Sequence, residues 1–142
     1  MSTEAAGLRF LVVEDHAFQR RILAQMLLRL EAAAVTEAED GEAALAALRD
    51  AAGAIDIVVT DLMMPGIDGM ELMRRSAENG EGMAFILTSA LDAQEREAVA
   101  AQALACGVRL LGDIAKPPTP AKLAPLLARY RISGSPPAAP CA

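Results

Sequence analysis

The run Ile55-Asp56-Ile57-Val58-Val59-Thr60 closes on a carboxylate, Asp61, and leads at once into Leu62-Met63-Met64-Pro65-Gly66-Ile67-Asp68-Gly69. A short β-branched run is the pattern of a strand buried on both faces, as in a parallel sheet covered by helices. The Pro-Gly pair then turns the chain into a loop. Asp61 is thereby delivered to the carboxyl end of a buried strand, the edge on which open α/β sheets carry their chemistry. Leu11-Val12-Val13 ends in the same way on Glu14-Asp15, and Lys116 follows a third apolar segment and precedes Pro117. Three acids and one lysine, each at a predicted strand end, point to a phosphoacceptor site.

The chain has 142 residues, enough for one domain with a real core. Hydrophobic residues make up 54% of it but aromatics only 3%, so Ala, Leu, Val, Ile and Met must build that core. A net charge of −6 argues against direct nucleic-acid binding, which needs a basic face. Cys106 and Cys141 form no CxxC pair and no disulfide framework. No apolar signal core opens the chain, and no run approaches the ~18 apolar residues of a membrane helix. A cytoplasmic protein with no membrane association is expected.

Strands are predicted at Leu8 to Val13, Ala34 to Ala38, Ile55 to Thr60, Ala84 to Thr88 and Val108 to Leu111. Between them lie helical patterns, the first from Ala17 to about Leu30 with Ile22, Leu23, Met26, Leu27 and Leu30 at helical spacing. A second follows Asp40-Gly41-Glu42, and a third runs from Met70 to about Ala77. Asp92 suits the cap of a fourth, which Gly107 ends, and Thr119-Pro120 suits the start of a fifth. Pro125 within the last helix predicts a kink or a broken start. Residues 1–7 are expected to be disordered, 8–132 to form the domain, and 133–142 to be a flexible Pro-rich tail or linker. Five strands alternating with five helices make a parallel sheet covered on both faces.

Glu14-Asp15, the string Asp61 to Gly69, Thr88-Ser89-Ala90 and Lys116-Pro117, with the turn Ala38-Glu39-Asp40-Gly41-Glu42-Ala43, occur in an order that resembles the receiver domain of bacterial two-component response regulators. The resemblance covers Leu8 to Tyr130. It implies a single flavodoxin-like α/β domain, a doubly wound five-stranded parallel sheet of order 2-1-3-4-5 with five helices. It also implies that Asp61 accepts a phosphoryl group from a sensor histidine kinase or a phosphotransfer protein. Glu14, Asp15 and Asp61 would repel one another alone, yet together they suit a hard cation with oxygen ligands, and Mg2+ fits. The family adds the main-chain carbonyl of Met63 as a ligand. Lys116 pairs with Asp61 and then with the phosphoryl oxygens. Ser89 is the expected switch hydroxyl because Ala90 follows it, with Thr88 the second choice; strand alternation sends the two to opposite faces.

One position departs from the family. Many receivers carry an aromatic residue three places before the lysine, where this chain has Asp113. The segment Val108 to Gly112 also resembles receivers found beside EAL-type cyclic-di-GMP phosphodiesterase domains, and no EAL domain lies in this sequence. Three other readings stand beside the phosphoswitch: a phosphate-independent scaffold, the receiver portion of a larger regulator, and a phosphatase of the haloacid dehalogenase type. The last wants an acid two residues after the nucleophile, where Met63 stands. His16 reads as a helix-start residue, Arg20 and Arg21 as a solvated helix face, Asp68 and Gly69 as turn formers, and Cys106 as a small buried hydrophobe. The family often dimerises through its fourth helix, fifth strand and fifth helix, so a homodimer is possible.

Overall fold

In a computed structural model, residues 5–51, 53–78 and 82–133 are described. The strands are β1 (Arg9–Val13), β2 (Ala34–Ala38), β3 (Ile57–Asp61), β4 (Ala84–Ser89) and β5 (Leu110–Ala115); the helices are α1 (Ala17–Arg29), α2 (Gly41–Ala51), α3 (Gly69–Glu78), α4 (Ala93–Ala105) and α5 (Pro120–Ser133). They alternate along the chain and build one parallel sheet of order β2-β1-β3-β4-β5. This is the doubly wound flavodoxin-like arrangement, with the reversal of strand order between β1 and β3.

Strand alternation divides the core in two. Phe10, Val12, Ile57, Val59, Ala84 and Ile86 face one way and pack on Leu23 and Leu27 of α1 and Leu123 and Leu127 of α5. Leu11, Val13, Val58, Phe85 and Leu87 face the other way and pack on Leu48 of α2, Leu72 and Met73 of α3 and Ala103 of α4. Every residue of β3 and β4 is buried, as a central parallel strand demands. The helix starts follow side-chain chemistry: Asp40, Asp68 and Asp92 accept from the main-chain N–H groups of Ala43, Glu71 and Glu95, and Thr119 accepts from Lys122.

The limits of β1, β3, β4 and α3 fall within one or two residues of expectation, and three other boundaries differ in ways the packing explains. Ala5 is fully buried and Ala6 forms an antiparallel bridge to Ala32, while Arg131 donates to the Ala6 carbonyl, so the fold takes in residues ahead of Leu8. Residues 1–4 and 134–142 lie outside the described residues, and Ser133, expected in the tail, closes α5. The fifth strand begins at Leu110 and runs to Ala115, later than the apolar run suggested. An irregularity between Phe85 and Ile86 admits one extra residue on β5, and Leu126 packs so closely over Gly112 that a Cβ there would lie 2.5 Å from it. At Pro125 the helix is continuous: α5 runs unbroken from Pro120.

Candidate functional site

The carboxyl ends of β1, β3 and β5 bring four predicted residues to one edge of the sheet. Glu14 and Asp15 follow β1 directly, Asp61 is the last residue of β3, and Lys116 follows β5. Lys116 Nζ lies 2.8 Å from Asp61 Oδ2 and 3.1 Å from Glu14 Oε1. The Asp61 and Glu14 side chains are only 4% and 6% exposed, so both charges are nearly withdrawn from water and depend on this shared cation. The Lys116–Pro117 peptide bond is cis.

The electrostatics follow from that crowding. Burial pushes the Asp61 carboxyl above its ordinary range, and the charge of Glu14 adds to this, against the opposing pull of Lys116. Burial is also the largest single influence on Glu14, but the N–H and ring of His16 together with Asp15 and Lys116 outweigh it and hold this carboxyl below its usual value. Lys116 is held above its ordinary value: burial opposes its charge, but the hydrogen bonds to Asp61 and Glu14 win. The site is therefore acid-rich, with Lys116 the cation that pairs with its carboxylates.

Asp15 completes the acidic set. Its Oδ1 is buried and makes no hydrogen bond, although His16 Nδ1 lies 3.3 Å away. Asp15, Glu14 and His16 offer ligand atoms within 4.8 Å of one another, and Asp61 is tied to Glu14 through Lys116. A buried carboxylate oxygen without a donor in that group suits a hard cation, and the carboxylate oxygens of Glu14, Asp15 and Asp61 are the donor chemistry that fits Mg2+. Met63 sits in the loop after β3, its N–H donating to Asp61 Oδ1 at 3.3 Å and its side chain largely exposed. Gly69 holds that loop down: a Cβ there would lie 2.7 Å from the Asp61 carbonyl oxygen and 2.9 Å from Leu62 Cα, closer than any side chain allows.

The two candidate hydroxyls occupy different surroundings. Thr88, opposite Asp61 in the β3–β4 register, lines a cavity of about 360 Å³ with Glu14, Lys116, Leu23 and Pro117. Ser89 is buried, its Oγ makes no hydrogen bond, and its carbonyl accepts from the Lys116 N–H at 2.8 Å. Asp113 lies opposite Leu87 and pairs with Arg96 of α4 at 3.1 Å, so an ion pair bridges strand and helix where the family resemblance implies an aromatic ring.

Two residues have larger parts than the sequence suggested. His16 precedes α1, as expected of a helix-start residue, but its Nδ1 also lies 3.0 Å from Glu14 Oε2. Arg20 is not solvated: its side chain is 18% exposed, Nη1 donates to the Glu14 carbonyl at 2.8 Å and Nε to Glu37 Oε1 at 3.2 Å. Arg21, 67% exposed, is on the solvated face as expected. Helical spacing alone placed both arginines on the polar side of α1; only the fold of the loop brings the Glu14 carbonyl to one of them.

Comparison with known proteins agrees with this geometry. The chain is 35% identical over 123 residues to the cyclic di-GMP phosphodiesterase RocR of Pseudomonas aeruginosa, which covers 87% of this chain and 31% of that protein. It is 41% identical over 81 residues to the transcriptional regulatory protein ResD of Bacillus subtilis, 57% of this chain and 32% of that one. It thus spans about a third of the length of these relatives. Among solved structures, a response regulator receiver domain protein from Clostridium thermocellum superposes with a TM-score of 0.75 over 89% of this chain and 95% of that one; at 20% identity this speaks to the fold. The CheX–CheY–BeF3–Mg2+ complex from Borrelia burgdorferi gives a TM-score of 0.73 at 26% identity, over 90% of this chain and 89% of that one. The family model for the response regulator receiver domain matches residues 10–128, and the chain belongs to that family of two-component receivers.

Proposed function

We propose that Asp61 is the phosphoacceptor of this receiver. The observation that carries the reading is the buried Asp61 carboxylate held 2.8 Å from the half-buried Lys116, which also pairs with Glu14, the neighbour in sequence of Asp15 with its undonated oxygen. Receiver domains are phosphoacceptors rather than enzymes, and they interact with histidine kinases or phosphotransfer proteins. In the proposed step an Asp61 carboxylate oxygen forms the new bond to phosphorus while the bond to the donor's imidazole nitrogen breaks. The imidazole leaves with the electron pair and is protonated from solvent, and Asp61 becomes a mixed anhydride. Lys116 then turns from Asp61 to the phosphoryl oxygens.

Mg2+, held by Glu14, Asp15, Asp61 and the Met63 carbonyl, would supply charge neutralisation for the incoming phosphoryl group. The chain's own contribution is positioning: Gly69 seats the Met63 loop, and burial holds Asp61 in one orientation. Ser89 is the proposed switch hydroxyl, supported by its buried, unbonded Oγ and its main-chain bond to Lys116. Among the described residues no helix is long and apolar enough to cross a membrane, and we place the reaction in the cytoplasm.

A second proposal concerns the output. RocR, whose name records cyclic di-GMP phosphodiesterase activity, is about three times the length of the part that matches, so this chain suits the receiver part of a longer regulator. The phosphatase reading is disfavoured by Met63, which offers no acid two residues after Asp61.

Acetyl phosphate with Mg2+ tests the acceptor directly. The expected result is a gain of one phosphoryl group in intact mass, lost in EDTA and in Asp61→Asn. A folded protein that gains nothing would favour the phosphate-independent scaffold.

A further inference from the structure

We propose that Arg20 is a positioning residue for the cation site, holding the peptide of Glu14 so that the acidic loop presents its oxygens together. This inference rests on the metal reading given above. The loop after β1 is strapped at the two ends of one residue: the Glu14 N–H donates to the Ala38 carbonyl at 3.1 Å, and the Glu14 carbonyl accepts from Arg20 Nη1 at 2.8 Å. Arg20 is itself anchored, because its Nε donates to Glu37 on β2, the neighbour of Ala38. The planar guanidinium can serve both acceptors at once only with the fork geometry of arginine. At 18% exposure the side chain is not a free surface charge.

The sign of the effect separates this role from simple charge. A guanidinium bound to the carbonyl of the acidic loop repels an incoming cation, so its removal should tighten Mg2+ binding if charge were its whole contribution. If Arg20 positions the loop, its removal weakens binding; loss of a group that orients metal ligands typically costs about 10-fold or more in affinity. Arg21 is the internal control. It carries the same charge one residue on and also meets Glu37, at 3.3 Å, but its side chain is largely exposed.

The test is calorimetric titration of the full chain with Mg2+ alone, for wild type, Arg20→Gln, Arg20→Lys and Arg21→Gln, with thermal unfolding of each metal-free protein alongside. Binding about 10-fold weaker in Arg20→Gln is expected, with weakening also in Arg20→Lys and unchanged or tighter binding in Arg21→Gln. A merely structural role would lower the unfolding temperature and leave the affinity of the folded protein alone. Equal affinities in Arg20→Gln and Arg21→Gln, or a wild-type affinity in Arg20→Lys, would overturn the proposal while leaving the metal site standing. Should Arg20→Gln not fold, Arg20→Lys against wild type decides. A wild type that binds no Mg2+ would remove the metal reading and this inference together.

Discussion

At Asp61, function and stability pull in opposite directions. Burial and the charge of Glu14 raise its folded-state proton affinity above that of the unfolded chain. Between the unfolded and folded values the native state binds more protons, so stability falls as pH rises through that window and stays lower above it. Asp61→Asn removes this loss. The variant is therefore expected to unfold at higher denaturant than wild type at neutral pH in EDTA, with the difference shrinking as pH falls below the carboxylate range. Added Mg2+ should stabilise wild type and leave the variant nearly unchanged; urea titrations at two pH values, with and without metal, check both. A residue with a strained backbone lies at the other end of α1. Glu31 follows α1 with φ of 74°, and Ala32 and Glu31 donate back to Leu27 and Leu28, the geometry that glycine usually takes after a helix. Glu31→Gly is expected to stabilise the fold by about 1 kcal/mol, measured as a raised urea midpoint at unchanged slope.

Among the elements, β3 and the loop after it do most to build the site. Gly69 packs against the main chain of Asp61 and Leu62, neither of which can yield as a flexible side chain would. Gly69→Ala is expected to cost about 1–3 kcal/mol and to slow phosphorylation from acetyl phosphate, since the methyl displaces the strand end that carries the acceptor. Unchanged stability and rate in that variant would contradict the account of the loop. The sequence announced β3 because an unbroken buried run followed by Pro-Gly admits few other structures, and it placed β2 at Ala34–Ala38 as observed. The fifth strand was misplaced because its ladder carries an irregularity and two residues, Gly112 and Asp113, that look unlike a strand in isolation. Each is explained by a neighbour: Leu126 covers the glycine and Arg96 pairs with the acid. Arg20 was missed for a related reason, since its acceptor is a carbonyl, which no side-chain pattern reveals.

Over the whole molecule, alternating strands and helices gather residues 14, 15, 61 and 116 at one sheet edge although up to 102 positions separate them. That convergence was legible because strand ends in a parallel sheet share an edge, so each acid's place after its own apolar run was enough. Distances, the undonated Asp15 oxygen and the Asp113–Arg96 pair were not legible, because they depend on packing between elements distant in sequence. Glu14, Asp15 and Asp61 repel one another at that edge, Lys116 relieves part of the repulsion, and a bound cation would relieve more, which links metal, phosphoryl group and stability. The most direct measurement is to treat the Mg2+-loaded protein with acetyl phosphate, reduce the acyl phosphate with borohydride and fragment the chain by mass spectrometry. If Asp61 is the acceptor, homoserine appears at position 61 and no other carboxylate is reduced. Homoserine at Asp15, the one-carbon-longer alcohol 5-hydroxynorvaline at Glu14, or no reduced side chain anywhere in a protein that has gained phosphoryl mass, would contradict this assignment.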